Sequence, residues 1–257
     1  MRGAIIGDII GSPYERNWIT STDFPLFSRQ SEFTDDSVLT VAVADVLLND
    51  GDYRRELQHY AQRYPEAGYG HNFKYWAIMA SKESLDSYGN GSAMRVSPVG
   101  WAFDTLEEVL KEAKRSALPS HGHPEGILGA QAIAAAVFLA RQGENKQGLR
   151  SEITRLTGYD LTPTLAQIRP DYRFDATCRG SVPQALIAFL ESDDYESAVR
   201  NAVSLGGDSD TLAAMAGAVA EAFYGGVPEA LWETVMPMLP DEFLGVIDAF
   251  EDRYMGF

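Results

Sequence analysis

Two stretches of this chain are apolar on every face when wound at helical period. Residues 125–141 read EGILGAQAIAAAVFLAR, and residues 209–224 read SDTLAAMAGAVAEAFY. A helix without a polar face persists only where other elements surround it, so both segments demand a multi-layered helical body. The second carries Ala213, Ala214, Ala216, Gly217, Ala218, Ala220 and Ala222. Small residues on several faces let neighbouring helices approach closely, which predicts a central position. With 257 residues, 45% of them apolar, the chain is long enough to close a large core around such helices.

The rest of the pattern agrees. Helices are expected over residues 37–48, 105–117, 181–190, 195–205 and 228–235, with Pro183 in the first turn of the third. Period-2 alternation with β-branched residues is nearly absent. The expected fold class is all-α, one domain spanning residues 1–257. Three long connections interrupt it, at 12–33, 64–97 and 118–124. Their aromatics (Tyr14, Trp18, Tyr69, Phe73, Tyr75, Trp76, Tyr88) argue for ordered, functional loops.

The opening MRGAIIGDIIG looks briefly like a leader, but Asp8 breaks the apolar run and no cleavage pattern follows. The longest apolar run, 126–140, contains Gln131 and is too short to span a bilayer. A lone cysteine, Cys178, rules out an intrachain disulfide and fits a reducing cytoplasm. A net charge of −16 disfavours binding to phosphate backbones, so nucleic acid is not an expected partner.

Both ends of the chain repeat one chemical idea. Thr34-Asp35-Asp36 opens one apolar helix, and Asp208-x-Asp210-Thr211 opens another. Thr, Asp and Ser are ordinary N-cap residues, and acidic groups suit a helix start. Capping needs one oxygen, however, and each cluster supplies several. Four converging carboxylates repel unless cations hold them. An all-oxygen donor set suits Mg²⁺ or Mn²⁺, and four carboxylates match two such ions. The EF-hand pattern is absent after Asp208.

The chain resembles the ADP-ribosylglycohydrolase family, which includes the dinitrogenase-reductase-activating glycohydrolases and the ADP-ribosyl-acceptor hydrolases. The resemblance rests on GAIIGDIIGSPYE (3–15), FTDDS (33–37), GYG (68–70), GNGSAMR (89–95), SH (120–121) and LGGDSDT (205–211), in that order along nearly the whole sequence. It implies a compact orthogonal helical bundle with two Mg²⁺ or Mn²⁺ ions. It implies Thr34, Asp35, Asp36, Asp208, Asp210 and Thr211 as their ligands. Ser37 stands where the family often has Thr, and the hydroxyl is retained. Glu15 is implicated beside the ions, in catalysis or in gating, with Asp36 and Asp208 the other expected catalytic carboxylates. Gly70, Asn90, Gly91, Ser92, Ala93 and His121 are implied to bind ADP-ribose, the GNGSA loop cradling its diphosphate. Asp8 is expected to be a structural hydrogen-bonding residue. His59 and His71 have no assigned role, His123 is unassigned, and Cys178 is expected to pack rather than to react.

The implied activity is hydrolysis of the glycosidic bond between ADP-ribose and a protein or small-molecule acceptor, by a monomer. A non-catalytic ADP-ribose-binding or crystallin-like protein is the alternative, and six filled ligand positions favour the enzyme. A metal-dependent nucleotide phosphohydrolase is a third reading, separated by its products.

Overall fold

A computed structural model describes residues 1–256; Phe257, the last residue of the expected domain, lies outside them. The first third of the chain holds α1 (Arg2–Gly11), α2 (Asp35–Asn49), α3 (Tyr53–Arg63), α4 (His71–Ile78), the short α5 (Gly91–Met94) and α6 (Ser97–Ala102). The middle holds α7 (Leu106–Ala117), α8 (Pro124–Arg141), α9 (Lys146–Thr157) and the short α10 (Leu165–Ile168). The last third holds α11 (Cys178–Leu190), α12 (Tyr195–Val203), α13 (Ser209–Tyr224), α14 (Glu229–Val235) and α15 (Asp241–Tyr254). No strand occurs among the described residues; two isolated bridges, Asp86–His121 and Gly89–Thr177, tie loops to the bundle. The all-α expectation holds.

α13 lies at the centre, touched by α1, α5, α8, α11 and α12, and its residues from Ser209 to Ala222 are all buried. Its closest partner is α1. Gly3, Gly7 and Gly11 recur every four residues and form a side-chain-free stripe along α1. A Cβ at Gly3 would overlap Gly217 O, one at Gly7 would overlap Ala213 O, and one at Gly11 would stand 2.5 Å from Asp210 Cα. Tyr195 adds a hydrogen bond to the same seam, donating to Gly3 O at 2.8 Å. Backbone meets backbone here, which fixes the axial register of Asp8 on α1 against Asp210 on α13.

Several helices depart from expectation. The segment 64–97 is not a continuous loop, since it contains α4 and α5. α4 is short and rich in aromatics, of which Trp76 is buried and Tyr75 lies on the surface. α3, α9 and α15 are additional helices. Each buries a narrow stripe, such as Leu149 and Ile153 on α9 or Phe243, Ile247 and Phe250 on α15. α11 starts at Cys178, because Thr177 caps it by accepting from Gly180 N. Pro183 therefore lies inside the helix, where its missing N–H removes one backbone bond.

Candidate metal centre and ligand cavity

The starts of α2 and α13 face each other across a cavity of about 520 Å³. Its lining includes Glu15, Thr34, Asp35, Asp36, Gly70, Asn90, Gly91, His121, Asp208, Asp210 and Thr211. Six segments that are remote in sequence thus contribute to one space of a size suited to a small ligand. Ser92 and Ala93 are not in that lining. Both are fully buried behind it, and Ser92 Oγ donates to Gly126 O at 2.7 Å.

At the α2 mouth, Thr34 has extended backbone and caps the helix, its hydroxyl accepting from Asp36 N. Asp8, wholly buried, holds this corner from behind. Its Oδ2 accepts from Thr34 N at 2.9 Å, from Ser37 N at 3.1 Å and from the Ser37 hydroxyl; its Oδ1 accepts from the Thr34 hydroxyl at 2.7 Å. Four accepted bonds use the lone pairs of a carboxylate. Asp8 therefore acts as a bracket for Thr34 and Ser37, and the Ser37 hydroxyl serves that bracket rather than the cavity. Thr211, on α13, donates to Asp36 Oδ2 at 3.1 Å and joins the two mouths. Asp36 Oδ1 is buried with no hydrogen-bond partner.

At the α13 mouth, Asp208 makes no side-chain cap. Gly206 and Gly207 precede it with φ of +76° and +71°, a left-handed pair that L side chains resist. This turn presents Asp208 to the cavity, where Asn90 Nδ2 donates to its Oδ2 at 2.7 Å. Glu15 follows the 3₁₀ turn Ser12–Tyr14 and is half-buried. It offers an oxygen within 4.8 Å of oxygens from Asp208 and Asp210, and Asp8, Asp36 and Asp210 form a second such group.

These carboxylates raise one another's pKa. Burial pushes Asp36 and Asp210 well above the usual range, and so do the charges of the other aspartates. Asp35 is raised well above by its surroundings and by Asp8 and Asp208. Asp208 is raised by burial, with the Asn90 hydrogen bond working against the rise. Glu15 is raised by burial and then by Asp208. Burial lifts Asp8 to about 6, its hydrogen bonds opposing. A set of buried acids with one orphaned oxygen and no neighbouring ammonium in contact is a set suited to hard divalent cations.

The cavity also draws in residues that the motifs did not single out. Arg95 closes the GNGSAMR run and is completely buried on the cavity wall. Phe174 lines the mouth from the polar stretch before α11 and backs onto Gly207. No periodicity marks Phe174, whereas Arg95 stands within the quoted motif. Cys178 is buried, its Sγ donates to Gly89 O at 3.0 Å, and burial pushes the thiol up to about 12, so it packs and does not react. His123 accepts from Glu125 N and caps α8. Among the described residues no helix is long and apolar enough to cross a membrane.

The family model described as ADP-ribosylglycohydrolase matches residues 1–255. The human ADP-ribosylhydrolase ARH3 is 28% identical over 91% of this chain and 86% of its own length. The ADP-ribosylarginine hydrolase Tri1 of Pseudomonas putida is 24% identical over 91% of this chain and 72% of its own. A solved structure described as an ADP-ribosylglycohydrolase-related protein complex has the same fold, with a TM-score of 0.71 at 24% identity over 98% of this chain and 96% of that one.

Proposed function

The chain belongs to the ADP-ribosylglycohydrolase family, and on that premise we propose that it hydrolyses the glycosidic bond joining ADP-ribose to an acceptor, using two divalent cations. The observation that carries this reading is the meeting of the two acidic helix mouths on one cavity, with Asp36 Oδ1 buried and unpartnered. Thr34, Asp35, Asp36, Asp208, Asp210 and Thr211 would hold Mg²⁺ or Mn²⁺, whose presence would neutralise the acids and polarise ligand oxygens.

The chain's own residues supply the rest. Leaving of the acceptor develops positive charge on the ribose, and the surrounding carboxylates stabilise it. Glu15 lies at the rim, where burial and the Asp208 charge make its carboxylate more basic than usual, which suits a group that takes a proton from water. Asn90 and Gly91 front the cavity for the diphosphate, with Ser92 and Ala93 acting through backbone only. Gly70, at the N-terminus of α4, allows close approach. The enzyme works as one domain, as a monomer in the cytoplasm, on an ADP-ribosylated protein or small molecule.

The test is incubation with conjugates of ADP-ribose to arginine, to serine, to a nucleobase and to acetate, with Mg²⁺ or Mn²⁺, followed by mass spectrometry. Free ADP-ribose released from at least one conjugate is expected. AMP or phosphate as product would replace this reading with a nucleotide phosphohydrolase. No product from any conjugate, with ADP-ribose still bound, would favour a non-catalytic binding protein.

A further inference from the structure

His121 sits on the cavity wall, and its hydrogen-bond polarity follows from counting protons behind it. Arg95 Nη2 donates to Ser120 Oγ at 2.9 Å and to Ser116 O at 3.1 Å. A guanidinium cannot accept, so the Ser120 oxygen is the acceptor. The second contact of Ser120 Oγ is with His121 Nδ1 at 2.8 Å. Ser120 is fully buried and has no other side-chain partner, so its one proton must go to Nδ1 or be stranded without an acceptor. Nδ1 is therefore the acceptor, and the ring proton is on Nε2.

Nε2 points to the other side. It stands 3.0 Å from where a Cβ of Gly91 would be, so a side chain there would crowd it and any incoming atom, and it lies 3.7 Å from a Cβ at Gly89, in ordinary contact. The backbone of His121 is held by Ala117 O at 2.8 Å and by the bridge to Asp86. Burial and the Arg95 charge keep the imidazole neutral.

We propose that Arg95 and Ser120 are positioning residues that lock His121 as the Nε2–H tautomer, so that the cavity presents one fixed donor to an acceptor oxygen of ADP-ribose. The identity of that ligand rests on the activity proposed above; the tautomer does not. A ring able to exchange tautomers would offer a lone pair part of the time and would then repel a phosphate oxygen. The relay removes that alternative before the ligand arrives.

Long-range ¹H–¹⁵N correlation of the ¹⁵N-labelled full chain reads the tautomer directly. The wild type should show Nε2 protonated and Nδ1 bare, without ligand. Ser120→Ala should mix the tautomers, and Arg95→Met should do the same because the serine oxygen is then free to accept from Nδ1. Arg95→Gln, which still donates, should restore the single pattern. ADP-ribose titrations with Mg²⁺ should weaken by about three- to tenfold in Ser120→Ala, the worth of one hydrogen bond, with Mg²⁺ affinity unchanged. If Arg95→Met fails to fold, the wild-type spectrum and Ser120→Ala decide alone. An Nδ1–H or doubly protonated ring in the wild type overturns the relay, and so does a single Nε2–H pattern with undiminished affinity in Ser120→Ala. A wild type that has the Nε2–H pattern yet binds no ADP-ribose refutes the ligand and leaves the relay standing.

Discussion

The two helix mouths use the same residue types and are built in different ways. At α2, Thr34 caps the helix conventionally and Asp8 brackets it with four hydrogen bonds from behind. At α13, no side chain caps the helix; two left-handed glycines set the backbone and Asn90 pins Asp208 across the cavity. Capping thus explains Thr34 and leaves Asp36, Asp208 and Asp210 without that role. The difference teaches that the α2 mouth is set from the buried core behind it, by Asp8 of α1, whereas the α13 mouth depends on a loop across the cavity. The two mouths share one proposed role, yet perturbations of their supports should diverge.

The largest effect is expected from Asp36→Asn and Asp208→Asn, which should each abolish detectable turnover and sharply weaken Mg²⁺ and Mn²⁺ binding by calorimetry. In the absence of metal, Asp36→Asn should raise the melting temperature, because it removes a buried carboxylate that faces other carboxylates with no cation in contact. Unchanged metal affinity in both variants would remove the paired mouths as the cation site.

Next is Glu15→Gln. If Glu15 takes the proton from water, single-turnover hydrolysis should fall by on the order of 10²–10⁴-fold while ADP-ribose affinity stays within a few fold. An undiminished single-turnover rate would leave Glu15 as a gating residue at most.

Smaller effects should come from the supports. Removing an outer hydrogen-bond partner of a metal ligand typically weakens metal binding by about 10–100-fold. Asn90→Ala should do this with little change in melting temperature, since the pin is a single loop contact. Asp8→Asn should lose both metal affinity and stability, since its four donors belong to the core. Equal losses of stability in the two variants would erase the contrast between a mouth held from the core and a mouth held by a loop.

The smallest effect expected is a slope. A carboxylate whose folded pKa is raised binds more protons folded than unfolded between its unfolded value and its folded one, so stability falls as pH rises through that window. For Asp8 the window runs from 3.8 to about 6, and Asp36 and Asp210 extend it upward. The metal-free protein should melt at a higher temperature near about pH 5 than near about pH 8, and saturating Mg²⁺ should flatten the trend. Asp36→Asn should reduce the slope more than Asp208→Asn, because Asp36 is the more strongly raised. A metal-free protein whose stability rises over that range would contradict the raised acids.

Much of this was legible in the amino-acid order. The apolar segments at 125–141 and 209–224 form α8 and α13, with α13 central, and the two acidic clusters share a residue pattern that implies a common role. Legibility failed where burial is narrow or where contact crosses the chain. α9 buries little beyond Leu149 and Ile153, too few residues for a period to stand out. α3 relies on Tyr53 and Tyr60, whose hydroxyls blur the apolar count. Arg95 and Phe174 acquire meaning only from neighbours over 20 residues away, Ser116 and Ser120 for one and Gly207 for the other. The stripe Gly3–Gly7–Gly11 was readable as a period of four, but nothing local says which helix it receives.

That stripe has a temporal consequence. It docks the first helix on the thirteenth, and the bond from Thr211 to Asp36 that joins the mouths spans 175 residues. At 5–20 residues per second, roughly 10–35 s of synthesis separate the two halves of the centre. Until α13 emerges, the first acidic pair stands alone beside a glycine face with no partner, and it supplies only half of the proposed ligand set. If the paired mouths hold the proposed cations, affinity for a divalent ion would arise only once translation has passed Thr211, and a truncated chain would carry no partial activity.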